Sequence, residues 1–147
     1  MILCDANVLL YAYDLHAEHH AVCRTWLVAA MNGDEPVGMP WQTLLAFVRI
    51  STNPRAYTQP MSVAAASRIV TTWVDRPQVR IPEPGERYWS LLQALLLGSQ
   101  VSGPLVTDAA LAALAIEQGA TLCTTDRDFR RFDGLKLFNP ISAPARP

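Results

Sequence analysis

The chain has 147 residues, half of them hydrophobic, and a formal charge of -1. That size and composition fit one domain with one sizeable core and exclude a disordered chain. The charge excludes a broadly basic surface, so contact with nucleic acid would have to come from a local cluster. Lys136 is the only lysine and the remaining basic residues are arginines, whose planar forks suit phosphate.

In chain order, residues 2 to 4 read as a buried parallel strand, and Val8 to Ala12 begin a short helix. After a connection at 14 to 18, a helix is expected over 19 to 31 with Ala21, Val22, Trp26, Leu27 and Ala30 inward, stopped by Gly33-Asp34-Glu35-Pro36. A short strand at 37 to 39 leads through Pro40 into a helix over 41 to 51 with Leu44, Leu45, Phe47 and Val48 as core, ended by Asn53-Pro54. A helix at 62 to 74, a strand at 79 to 81 and a helix at 85 to 97 carrying Tyr88, Leu91, Leu92 and Leu95 come next. Pro104 opens a helix to about 117, followed by a strand at 121 to 124, a turn through Asp128 and an edge strand near 135 to 138. Strands alternating with helices predict a parallel sheet covered on both faces. The helices at 41 to 51 and 62 to 74, with no strand between them, would form a clip or a dimer surface. Residues 1 to 140 are the expected domain, and 141 to 147, with Pro144 and Pro147, a loose tail.

Cys4, Cys23 and Cys123 are odd in number and widely spaced, which fits a reducing compartment and packing roles. The start Ile2-Leu3-Cys4-Asp5 has no leader character, and no window approaches 18 apolar residues, so a cytoplasmic protein without a membrane span is expected.

The chemistry gathers in the acids. Asp5 directly follows the first strand and so lies at the sheet's C-terminal edge, where open α/β proteins put their sites. Asp126 and Asp128 follow the last core strand, and Asp108 lies near the start of a helix whose same-face successors Ala112 and Ala115 allow close approach to the sheet. Converging carboxylates repel, and a divalent cation is the usual reason for their company. Asn7 would orient Asp5 or bond to water beside the cation, and the Thr124 hydroxyl would fix Asp126. Helix capping is the competing role for Asp5, Asn7 and Asp108, and pairing with Arg127, Arg130 or Arg131 for Asp128. Such a site with Mg²⁺ or Mn²⁺ hydrolyses phosphodiesters, although spacing alone does not separate nuclease from phosphatase.

Four segments together are specific: Asp5-Ala6-Asn7-Val8-Leu9-Leu10, Leu44-Leu45-Ala46-Phe47-Val48-Arg49, the run from Thr107-Asp108 to Ala115, and the run from Gly119 to Phe129. Over essentially its whole length the chain resembles the PIN-domain ribonucleases, most closely the VapC-type toxins of bacterial toxin-antitoxin pairs. The resemblance implies a three-layer α/β/α fold around a mostly parallel sheet of four or five strands. It also implies an Mg²⁺- or Mn²⁺-dependent endoribonuclease that leaves a 3′-hydroxyl, a homodimer, and a cognate VapB-type antitoxin whose tail enters the site. By resemblance Asp5, Asp108 and Asp126 match the metal-binding aspartates, Asp128 the frequent fourth acid, and Asn7 and Thr124 the polar supports. The family's usual glutamate three residues before an arginine is here Ala46, with Gln42 one turn earlier.

Arg49 and Arg55, beside Asn53, are candidate RNA phosphate contacts. His16, His19 and His20 lack a further histidine and are read as orienting a helix start. Trp26, Trp41, Trp73 and Trp89 are read mostly as core or subunit contacts, and Trp41 as the candidate for base stacking. Two rivals stay open. A phosphatase would want Asp-x-Asp where the chain has Asp5-x-Asn7, and a catalytically weak RNA- or protein-binding relative is motivated by Ala46.

Overall fold

In the computed structural model, which describes residues 1–142, the order of elements is β1 (Ile2–Cys4), α1 (Ala6–Tyr13), α2 (His20–Met31), β2 (Val37–Gly38), α3 (Trp41–Ser51), α4 (Val63–Val74), β3 (Val79–Arg80), α5 (Tyr88–Gly98), α6 (Leu105–Glu117), β4 (Thr121–Cys123), a 3₁₀ turn (Arg127–Arg131) and β5 (Lys136–Phe138). The five strands form one sheet in the order β3-β2-β1-β4-β5 with every pairing parallel. The expected mostly parallel sheet is thus parallel throughout. Most of the tail expectation, including Pro144 and Pro147, lies outside the described residues.

The period of two along the strands divides the core. Leu3 and Leu122 face one side with Ala109, Ala112, Ala113 and Phe129, under α5 and α6. Cys4 and Cys123 face the other with Val8, Leu9, Leu27, Phe47 and Trp73, under α1 to α4. All three cysteines are buried and free, and burial raises their thiols, that of Cys23 to about 11, so they pack as small apolar groups. Two backbone features set the spacing. Gly38 is the register partner of Leu3, and a Cβ there would stand 2.9 Å from Leu3 Cδ1. Gly119 adopts φ +62°, the left-handed region, which reverses the chain from α6 directly into β4.

Two core assignments are corrected. On α2, Ala21 and Val22 are exposed and the buried face is Cys23, Leu27 and Met31, with Trp26 and Ala30 partly covered. On α3, Leu45 is 64% exposed, while Thr43, Leu44 and Phe47 are buried and Val48 is half-buried. In both helices apolar residues surround more of the circumference than the sheet covers, so composition did not mark the inward stripe. The α3–α4 pair is joined by Phe47 and Trp73, whose rings meet at 4.8 Å, with Tyr13 edge-on to both. Of the tryptophans read as core or subunit contacts, Trp73 is core and Trp26 partly covered, while Trp41 and Trp89 are exposed.

Candidate active site

The neighbours of β1 in the sheet are β2 and β4, and the chain leaves β1 toward one and reaches the other only at its far end. The crevice beyond the C-terminal ends of β1 and β4 is therefore the point where strand order reverses, the place where open α/β sheets bind ligands. Parallel register pairs Cys4 with Cys123, so the next residues, Asp5 and Thr124, emerge side by side. The backbone N–H of Asp5 donates to the Cys123 carbonyl (2.9 Å) and that of Thr124 to Phe138 (3.0 Å), which ties both to the sheet edge.

One hydroxyl organises this edge. Thr124 Oγ1 donates to Asp5 Oδ2 at 2.7 Å and accepts from Asn7 Nδ2 at 3.3 Å and from the Asp126 backbone N–H at 3.0 Å. A threonine hydroxyl has one donor and two acceptor sites, and all are filled. Asn7 Oδ1 accepts from the Thr125 N–H (3.4 Å), and Asp126 Oδ1 accepts from the Asp128 N–H (2.8 Å), opening the 3₁₀ turn. Asp5 occupies the cap position of α1 without capping it through its side chain. Its carboxyl is pushed up to about 6, first by burial and further by the charges of Asp108 and Asp126, against the opposing hydrogen bonds from Thr124 and Ala6. Asp108, half-buried in the first turn of α6, is also raised, by burial and then by Asp126 and Asp128, with Arg131 opposing. Ala112 and Ala115 are fully buried, which lets α6 lie close to the sheet.

Asp5, Asn7, Asp108 and Asp126 line a cleft of about 690 Å³ together with Leu10, Gln42, Ala46 and Arg49. The cleft thus contains Asp5, Asn7, Asp108 and Asp126 of the expected set, while Thr124 stands buried behind it. Asp128 is outside the lining and exposed, with Arg131 Nη2 3.4 Å from its carboxylate. Ala46 and Arg49 line the cleft and Arg55 does not. Gln42 donates through its amide nitrogen to the Thr107 carbonyl, a tie between α3 and α6 that its residue type did not announce. Thr43, also missed, donates to the Cys4 carbonyl at 2.8 Å and so docks α3 against the end of β1. The His20 ring bonds to the Tyr11 carbonyl at 3.0 Å and His19 meets Tyr11 edge-on, in keeping with a structural role.

The anionic groups lining the cleft are the carboxylates of Asp5, Asp108 and Asp126, and the neutral ones beside them are amides and hydroxyls, so every donor it offers is a hard oxygen or an amide, the chemistry of a cation such as Mg²⁺ or Mn²⁺. Among the described residues no three His, Cys, Asp or Glu side chains come close enough to hold an ion unaided. The fit is to a cation that keeps much of its water and takes one or two carboxylates directly, as Mg²⁺ does. Neutralising charge there would relieve the repulsion that raises Asp5 and Asp108.

With this fold and cleft, the chain belongs to the PIN-domain family, whose profile matches residues 2–135. Its relatives include the VapC ribonucleases of Mycobacterium tuberculosis. Ribonuclease VapC37 is 39% identical over 140 residues, covering 95% of this chain and 97% of its own. Ribonuclease VapC43 is 37% identical, covering 96% of each. Among solved structures the fold is shared with the toxin-antitoxin complex VapBC2 of Rickettsia felis bound to a promoter DNA fragment (TM-score 0.67, 19% identity, 95% of this chain and 98% of that one). It is also shared with Mycobacterium tuberculosis VapC20, described as a sarcin-ricin loop cleaving toxin (TM-score 0.66, 14% identity, 92% and 99%).

Proposed function

We propose that the chain is a divalent-metal-dependent endoribonuclease that acts as a growth-inhibiting toxin and is neutralised by a VapB-type antitoxin. The observation that carries this reading is the half-buried Asp5 carboxylate at the switch point, aimed by Thr124 and accompanied in one cleft by Asp108 and Asp126. Full-length likeness to VapC ribonucleases supports RNA as substrate, and likeness to a VapBC complex supports the antitoxin. A homodimer and a cytoplasmic location are part of the same proposal. Among the described residues no helix is long and apolar enough to cross a membrane. Residues 1 to 140 are proposed as one PIN domain.

Asp5, Asp108 and Asp126 would hold Mg²⁺ or Mn²⁺ between them, one or two directly and the rest through its water, and Asp128 would assist from the 3₁₀ turn. When bound, the cation would activate the attacking water and offset the charge growing on the phosphodiester and its leaving oxygen. The chain's own residues set the geometry. Thr124, itself held by Asn7, fixes the rotamer of Asp5, and Arg49 and Arg55 draw RNA phosphate to a cleft that is otherwise anionic. The departing oxygen becomes the 3′-hydroxyl. A second reading, a catalytically weak RNA- or protein-binding PIN domain, is favoured by Ala46, which lines the cleft where a further carboxylate would complete the acid set.

The test is cleavage of a mixed structured RNA pool by purified protein freed of co-purifying partner, in Mg²⁺, Mn²⁺ or EDTA. Discrete cuts that vanish in EDTA and fall at least about 100-fold in both Asp5→Asn and Asp126→Asn, with folding intact, are expected. Cuts that persist in either variant would remove these residues from the centre.

A further inference from the structure

The endoribonuclease reading says where a phosphodiester is cut but not what grips the strand. Trp41, Leu45 and Arg49 stand four residues apart on α3 and therefore form one row along it. All three are exposed, Trp41 at 52%. Thr43, Leu44, Phe47 and Ser51, on the remaining circumference, are the ones α3 buries. Leu45 and Arg49 line the acidic cleft, and Trp41 continues the row one turn beyond it. Gln42, next to Trp41, bonds to the carbonyl of Thr107, the residue before Asp108, so the start of the row is tied to the acid-bearing helix.

We propose that this row is the track for a single RNA strand, with an unpaired base stacked on the Trp41 indole, Leu45 as the apolar surface between, and Arg49 on a phosphate. The proposal rests on the endoribonuclease reading and adds the residues that grip the strand and the order in which they meet it. Charge selects this occupant. Asp5, Asp108 and Asp126 repel a phosphate backbone, and Arg49 is the only arginine or lysine among the cleft-lining residues. Its guanidinium has no carboxylate partner among the described residues. An exposed aromatic face beside a backbone-binding cation is the general recipe for holding a single strand. The row spans nine residues of helix, a rise of about 12 Å from Trp41 to Arg49. A duplex hides its base faces and gains nothing from Trp41.

The experiment uses the full chain carrying Asp126→Asn, so that RNA is bound without being cut, and follows fluorescent single-stranded RNA and the duplex of the same sequence by anisotropy with Mg²⁺ present. Trp41→Ala is expected to weaken single-strand binding roughly five- to tenfold or more. Trp41→Phe is expected to retain most of it, and duplex binding to be unchanged by either. Arg49→Ala should weaken both ligands and lower the salt slope by about one. Equal single-strand affinity in the parent and Trp41→Ala overturns the track, as does a parent that binds no single strand. If Trp41→Ala instead abolishes self-association in light scattering while RNA affinity holds, the row is a contact between copies of the chain. Absence of metal-dependent cleavage in the unsubstituted protein, with the Trp41 effect on binding intact, would sink the nuclease reading and leave the track standing.

Discussion

The two walls of the cleft are built differently. On the β1–β4 side each polar group is held: Asp5 by Thr124, Thr124 by Asn7 and Asp126, Asp126 by the turn it opens. On the α3–α6 side Asp108 makes no side-chain hydrogen bond among the described residues, and Ala46 offers no polar group at all. A held carboxylate has lost its rotamer freedom before any ligand arrives, whereas Asp108 loses it on binding. In the proposed centre the β1–β4 wall would meet a cation preorganised, and the opposite wall would close the coordination at an entropic cost that the cation must offset.

Breaking the held wall should have the largest effect. Thr124→Val removes the hydroxyl that joins Asp5, Asn7 and Asp126 while keeping the volume, and should cost 10- to 100-fold in Mn²⁺ affinity by titration calorimetry. Thr124→Ser should recover most of that loss. An unchanged affinity would show that the hydrogen-bond relay does not set the position of Asp5.

The raised carboxyls make the cation-free protein sensitive to pH in a defined direction. A carboxyl whose folded value lies above its unfolded value of about 4 stabilises the fold fully below that value and loses the contribution as pH rises through the folded one. For Asp5 the window runs from about 4 to about 6, with Asp108 acting in the same sense. In EDTA, thermal stability should fall across that window by an amount on the order of 2–3 kcal/mol from Asp5. Mn²⁺ should restore it above pH 6. Stability that rises through the same window would contradict the direction of both shifts.

Adding to the bare wall is the converse test. Ala46→Glu should lower the Mn²⁺ concentration needed for half-maximal cleavage severalfold and, in EDTA, lower the melting temperature by adding a like charge. A change in neither would show that the cleft does not bring position 46 into the coordination sphere. The smallest effect is expected from Arg131→Ala, which removes an exposed pair with Asp128 and should shift stability by less than about 1 kcal/mol in denaturant titration.

Much of this architecture can be read from the chain because its strands are short apolar runs directly followed by polar punctuation. Ile2–Cys4 ends at Asp5 and Thr121–Cys123 at Thr124, so the strand ends and the acids behind them were found together. The parallel sheet follows from the alternation of strands and helices, and Asp108 from the alanines that bury α6. What escaped notice was information carried by pairs distant in sequence. Nothing near Thr43 indicates that its hydroxyl reaches the Cys4 carbonyl, and nothing near Gln42 indicates Thr107. Its place in the sequence marks Thr124 as a support for Asp126, and in the fold it also holds Asp5, 119 positions away. The exposed Leu45 escaped for a different reason. A leucine is as compatible with an open cleft as with a core, and only the position of α6 decides between them.

The pairing of β1 with β4 has a consequence for biogenesis. During translation β1 finds the neighbour that brings Thr124 and Asp126 beside Asp5 only after every element from α1 to α6 has been made. Contacts of such long sequence separation form late, after the local helices that precede them. A nascent chain, or one terminated before β4, therefore carries Asp5 without its hydroxyl partner and without Asp126, and the cleft comes into being only once β4 and the turn behind it have been made.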